Sequence, residues 1–122
     1  MLEKSTLFEL LDSVVEPIVF TDNDHIIRYV NPAAERKYRD RGFEDLPGKS
    51  LMDCHNPESQ TKIYQIYEKL RSGSNEEFVS LTDDGNSRIY ARAVRDDSGA
   101  LLGYYERYEP AAGPDDAPDE SC

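Results

Sequence analysis

The chain has 122 residues, with 14 Lys and Arg against 25 Asp and Glu and a formal net charge of −11. That length makes one domain, large enough to bury an ordinary core without a disulfide or metal staple. The acidic balance argues against nucleic acid, whose phosphates require a basic surface, and no apolar run approaches a bilayer-spanning helix.

The N-terminus lacks a basic stretch followed by an apolar one, so no secretory leader is expected, and there is no N-x-[ST] acceptor. Two cysteines, Cys54 and Cys122, do not make a disulfide framework, which points to a reduced, cytoplasmic setting. Residues 1–16 are expected to form an N-terminal amphipathic helix. It runs over 6–15, with Leu7, Leu10, Leu11, Val14 and Val15 on one face and Thr6 and Glu9 at capping-box spacing. Pro17 closes it. The apolar face would pack on the domain's own sheet, or alternatively on a second copy.

Ile18 to Thr21 and Ile26 to Val30 read as two strands joined by the turn Asp22-Asn23-Asp24-His25, an antiparallel hairpin with His25 exposed to solvent. Asn31-Pro32 opens a short helix to about Tyr38, because Asn caps well and Pro loses nothing at the first helical position. Residues 39–53 are mixed, with a turn or two of helix. Asn56-Pro57-Glu58 starts a long helix to Ser72, and Gly73 suits a left-handed cap. Ile63, Ile66, Tyr67 and Leu70 give that helix its buried stripe. Three strands follow: Glu77 to Thr82, Arg88 to Arg95, and Leu101 to about Tyr108. Asp84-Gly85 and Asp96 to Gly99 form the turns between them. Residues 110–122 carry Asp115, Asp116, Asp119 and Glu120 with no base, and their Pro, Gly, Asp and Ala content predicts a disordered acidic tail. Two strands at one end and three at the other predict an α+β fold, one antiparallel sheet with helices covering one face.

The segment Pro17 to Asp22, then Ile26 to Val30, then Asn31-Pro32-Ala33-Ala34-Glu35 resembles the opening of many PAS modules. Gly48-Lys49-Ser50-Leu51, and Arg95-Asp96 with Gly99 before Leu101-Leu102-Gly103, are similar to their central loop and last hairpin. Cys54-His55-Asn56-Pro57-Glu58-Ser59 further resembles a PAS subgroup with a CHPP-x-S motif before the long helix. Members of that subgroup stand alone or are joined to hemerythrin-like and signalling modules. Asn56 replaces the first proline of the motif, and no output helix follows Glu109, which leaves the output partner unidentified. The resemblance implies a PAS domain over 17–109. Its five-stranded antiparallel sheet would hold a small pocket against the long helix, for a small-molecule ligand or for none.

His55 is the sharpest candidate for chemistry. It would contact a pocket, ligate haem or a metal in a redox or gas sensor, or simply fix the loop at the helix start. Ile63 and Tyr67 on the long helix, with Ala91, Ala93 and Phe78 opposite, are the expected pocket walls or, alternatively, core. Tyr90, Arg92 and Arg107 form a candidate dimer surface. No acid orients Cys54 and His55 as a nucleophile pair, and two clustered residues are too few for structural zinc. Asp22-Asn23-Asp24 fails as a calcium loop, with Ile27 where Gly is needed and Ala33 where Glu is needed. The reading is a non-catalytic, bacterial-type signalling sensor that binds a small ligand and contacts a partner signalling protein or forms a homodimer. The alternatives are a ligand-free dimerisation module and a haem sensor using His55.

Overall fold

A computed structural model describes residues 3–82 and 84–111. Helix α1 (Lys4–Asp12) precedes strands β1 (Val19–Asp22) and β2 (Ile27–Val30), then helix α2 (Pro32–Arg39). A 3-10 helix (Leu51–Cys54) leads into α3 (Pro57–Arg71), and β3 (Glu76–Leu81), β4 (Ser87–Arg95) and β5 (Leu101–Pro110) complete the chain. The strands form one antiparallel sheet in the order β2-β1-β5-β4-β3. The α+β sheet architecture expected from the sequence is therefore present. The expected tail, 110–122, lies outside the described residues beyond Ala111, although Pro110 closes β5 and the Ala111 N–H donates to Asn86 O.

One sheet face carries the core. Val19, Ile27, Val30, Ala91 and Tyr104 project from the strands onto Ala34, Leu46, Leu51, Ile66 and Leu70. Ile66 and Leu70 are buried as the helical spacing requires, while Ile63 and Tyr67 of the same stripe pack against them half-buried. Asn56 caps α3 by accepting from Ser59 N at 2.9 Å, and Pro57 takes the first helical position. Asn31 does more than cap α2. Its Oδ1 accepts from Ala34 N and Ile18 N, and its Nδ2 donates to Val14 O and Glu16 O. The side chain is wholly buried, and it ties the segment before β1 (Val14, Glu16 and Ile18) to the end of β2 and to α2.

Helix α1 departs from expectation. It ends at Asp12, short of Val14 and Val15, and its N-cap residue is Glu3, with no side-chain cap in place of the expected Thr6–Glu9 box. Its leucines do not pack into the core: Leu7, Leu10 and Leu11 are 44%, 56% and 37% exposed. The helix is held instead on the opposite sheet face by Phe8, 5.8 Å from the Tyr29 ring, and by Tyr29 Oη donating to Asp12 at 2.6 Å.

Candidate functional site

The covered face of β4 and β5 is read from register. Ala91 lies opposite Glu106 and Ala93 opposite Tyr104, so these four share the face beneath the helices. Ala93, Ile63 and Tyr67 all border the core cluster there, and Ala91 belongs to it. Phe78 does not join them. A register shift in β3 pairs it with Tyr90, on the opposite face; the two rings meet at 5.6 Å, and Phe78 is 50% exposed. The expectation that Phe78 walls a pocket with Ala91 and Ala93 is corrected accordingly.

His55 ends the 3-10 helix and precedes the Asn56 cap. It is half-buried, and burial holds its pKa below the usual imidazole value. The hydrogen bonds of this junction run through its backbone: His55 N donates to Met52 O, and Gln60 Nε2 donates to both Met52 O and His55 O. Burial, and secondarily the Asp53 carboxylate, raise the Cys54 thiol above its ordinary value. That disfavours the thiolate a nucleophile needs.

An aromatic and polar cluster on this face is centred on the other histidine, expected to be solvated. His25 adopts φ +64° in the β1–β2 turn, a left-handed conformation sparsely populated by non-glycine residues. The imidazole packs against three tyrosines: Tyr67 at 4.8 Å and Tyr64 at 5.1 Å from α3, both in T-shaped arrangements, and Tyr104 at 5.9 Å from β5. Its Nδ1 lies 2.8 Å from Tyr104 Oη. Its backbone also serves the site, because Leu51 N donates to His25 O at 2.8 Å and so seats the 3-10 helix. Burial lowers its pKa, against the opposing pull of Asp22 and Asp24. One side chain thus joins the first hairpin, the long helix and the central strand. A sequence signal existed in Tyr64 and Tyr67, three apart on one helix, but not in the turn itself.

Arg95 holds the other end of α3. Its Nη2 donates to Leu70 O at 2.6 Å, which also accepts from Gly73 N, and to Ser74 O at 2.9 Å just beyond the helix, placing a cation where the C-terminal end of a helix favours one. Two cavities lie away from α3. One of about 70 Å³ sits between α2 and Phe43–Leu46. The other, about 320 Å³, runs past Lys37, Arg41 and Tyr108 to Thr82 and Ser87. A haem ligated by His55 needs a slot as wide as the macrocycle beneath α3. That space holds Ile63, Ile66, Tyr67, Leu70 and the His25 ring, so these residues do not fit one.

Comparison with known proteins adds a family and a set of shapes. The family model described as PAS domain matches residues 15–106. A C-terminal domain from Streptococcus mutans superposes with TM-score 0.74 at 22% identity, covering 89% of this chain and 85% of its own. The PAS domain of a protein from Colwellia psychrerythraea gives 0.65 at 17% identity over 87% and 94%. A sensory box sensor histidine kinase from Vibrio cholerae gives 0.62 at 17% identity over 89% and 91%. At these identities the likeness is one of fold. No curated protein matches the chain.

Proposed function

The chain belongs to the PAS domain family, and on that premise we propose that it is a non-catalytic sensory module of the cytoplasm. It binds a small ligand between α3 and the covered face of the sheet, in space that opens only when α3 moves from the packing described above, and it passes the change to a partner through protein contacts. The observation that carries this reading is the joint made by His25, Tyr64, Tyr67 and Tyr104. An aromatic and polar contact between helix and sheet, beside the small side chains of Ala91 and Ala93, offers a ligand stacking faces and hydrogen-bond partners at once. Ile63 borders the core on the same side, and His55 at the entry to α3 is assigned to the same ligand. A ligand that stabilises one placement of α3 shifts the population of that placement, by as much as its affinities for the two states differ. The resemblance of Cys54 to Ser59 to the CHPP-x-S subgroup fits this reading, since the stretch sets where α3 begins.

Mass spectrometry of the protein under native and then denaturing conditions tests the proposal. A small molecule of fixed mass released on unfolding, and lost in Ala93→Leu, supports it. Protein that carries nothing from cells, and whose melting temperature no compound in a metabolite panel raises, refutes it.

A second reading, a ligand-free homodimer or scaffold, is favoured by the exposed leucines of α1 and by the outer-face residues Phe78, Tyr90, Arg92 and Arg107. Light scattering across concentration decides it. A dimer split by Leu10→Asp with Leu11→Asp is expected, and a monomer at high concentration overturns it.

A further inference from the structure

We infer that the joint between α3 and the sheet is a proton-operated latch, closed when the His25 imidazole is neutral and loosened when it is protonated. This makes the proton an input in its own right and does not depend on whether a small ligand binds.

The geometry sets the argument. The half-buried His25 ring is flanked on the α3 side by Tyr64 and Tyr67 and on the β5 side by Tyr104, and no carboxylate comes from either element among the described partners of that ring. The charged groups that face it are Asp22 and Asp24 of its own turn. Asp22 is already engaged: its Oδ1 accepts from Asp24 N and Ile26 N, and its Oδ2 meets Arg28 Nε at 2.6 Å. Asp24 is exposed and screened by solvent. The 3-10 helix contributes the Leu51 N–H to the His25 carbonyl. A neutral imidazole serves the Tyr104 bond with either atom as donor, and its rings meet the tyrosines at 71° and 86°. An imidazolium carries N–H on both nitrogens, so the Tyr104 bond persists only with Nδ1 as donor and the tyrosine oxygen as acceptor. It also places a full charge in a half-dry aromatic cluster. Attraction of the cation to the tyrosine rings offsets part of that cost, on the order of 1 kcal/mol per favourable pair. The burial of the ring outweighs that attraction, since the net direction at this site is downward.

The sign follows from burial, which holds the folded pKa of His25 below its usual value of 6.5. The folded joint then binds fewer protons than the opened one. Its stabilisation is complete above about pH 6.5 and is lost as the pH falls through the folded pKa. For one group the opening equilibrium rises by at most about tenfold per pH unit across that window. His55 is also depressed by burial, at the other end of the 3-10 helix, and must be silenced to isolate the effect.

The experiment is an NMR titration of the imidazole and α3 amide signals from about pH 8 to 5 in a His55→Gln background. The expected result is a His25 midpoint below the usual value, with the amides around Tyr64 and Tyr67 moving at the same midpoint. His25→Asn tolerates the left-handed turn and His25→Phe keeps the ring; either is expected to abolish the α3 response. Tyr104→Phe is expected to move the His25 midpoint. A His25 midpoint at or above the usual value in the parent protein overturns the latch, as does an α3 response that survives in a folded His25 variant.

Discussion

Replacing Asn31 with alanine removes four hydrogen bonds at one fully buried point. The bond to Ala34 N is the α2 cap, worth about 1 kcal/mol. Ile18 N, left without its acceptor in a half-buried strand start, costs about 1–3 kcal/mol. The carbonyls of Val14 and Glu16 lie nearer the surface, where water replaces the lost donor, and together they cost about 1 kcal/mol. The sum is about 3–5 kcal/mol, a large share of the roughly 5–15 kcal/mol that holds a domain folded. Urea denaturation followed by circular dichroism measures it. Asn31→Ser retains a cap and is expected to recover about 1 kcal/mol of the loss. Asn31→Asp keeps the acceptor but turns a second carboxylate oxygen toward two carbonyls, so it should be destabilised at neutral pH despite its shape. A loss below about 1 kcal/mol in Asn31→Ala would refute the view of this side chain as a tie between three segments.

Gly103 sits at φ +156° in β5, where an added Cβ falls on the Thr21 carbonyl oxygen of β1, so Gly103→Ala should lower the thermal midpoint sharply and weaken β1–β5 pairing by amide exchange. Glu106 is half-buried on the covered face, and burial raises its pKa against the opposing pull of Lys37, Tyr38, Tyr108 and Arg41. A carboxyl with a raised folded pKa gives stability that is present at acid pH and lost as the pH rises through that pKa. Glu106→Gln is therefore expected to melt higher than the parent near pH 8 and no higher near pH 4; a uniform loss at both would contradict this. Arg107 clasps Glu76 through Nε at 2.6 Å and Nη2 at 2.9 Å, spanning from β5 to β3 across β4. Arg107→Lys loses the two-pronged geometry and should cost on the order of 1 kcal/mol by urea titration, less at high salt.

Much of the fold was legible because local chemistry and tertiary packing agree. Asn56-Pro57 and Asn31-Pro32 start helices where caps predict, and Ile66 and Leu70 are buried as their spacing demands. The failures share a cause, in that each depended on a partner distant in the chain. Phe78 was assigned to the wrong face because the bulge between Phe78 and Ser80 resets the alternation, and a bulge leaves little trace in one strand's residues. His25, among polar turn residues, gives no sign of the left-handed backbone that sets its ring against Tyr67 and Tyr104. Asn31 was readable as a cap but not as the acceptor for Ile18. For α1, amphipathicity indicated an apolar face without saying what covers it, and in this chain its leucines remain exposed.

The position of β5 at the centre of the sheet has a consequence for how the chain is made. The first hairpin joins the rest of the sheet through β5, some eighty residues later in synthesis. Until that strand arrives, β1 and β4 each present an open edge, and a two-stranded hairpin is marginal by itself in water. Sheet closure is then one late, long-range event, slower than the helices that precede it. A nascent chain stalled before Leu101 would expose two adhesive edges at once, a natural substrate for chaperones.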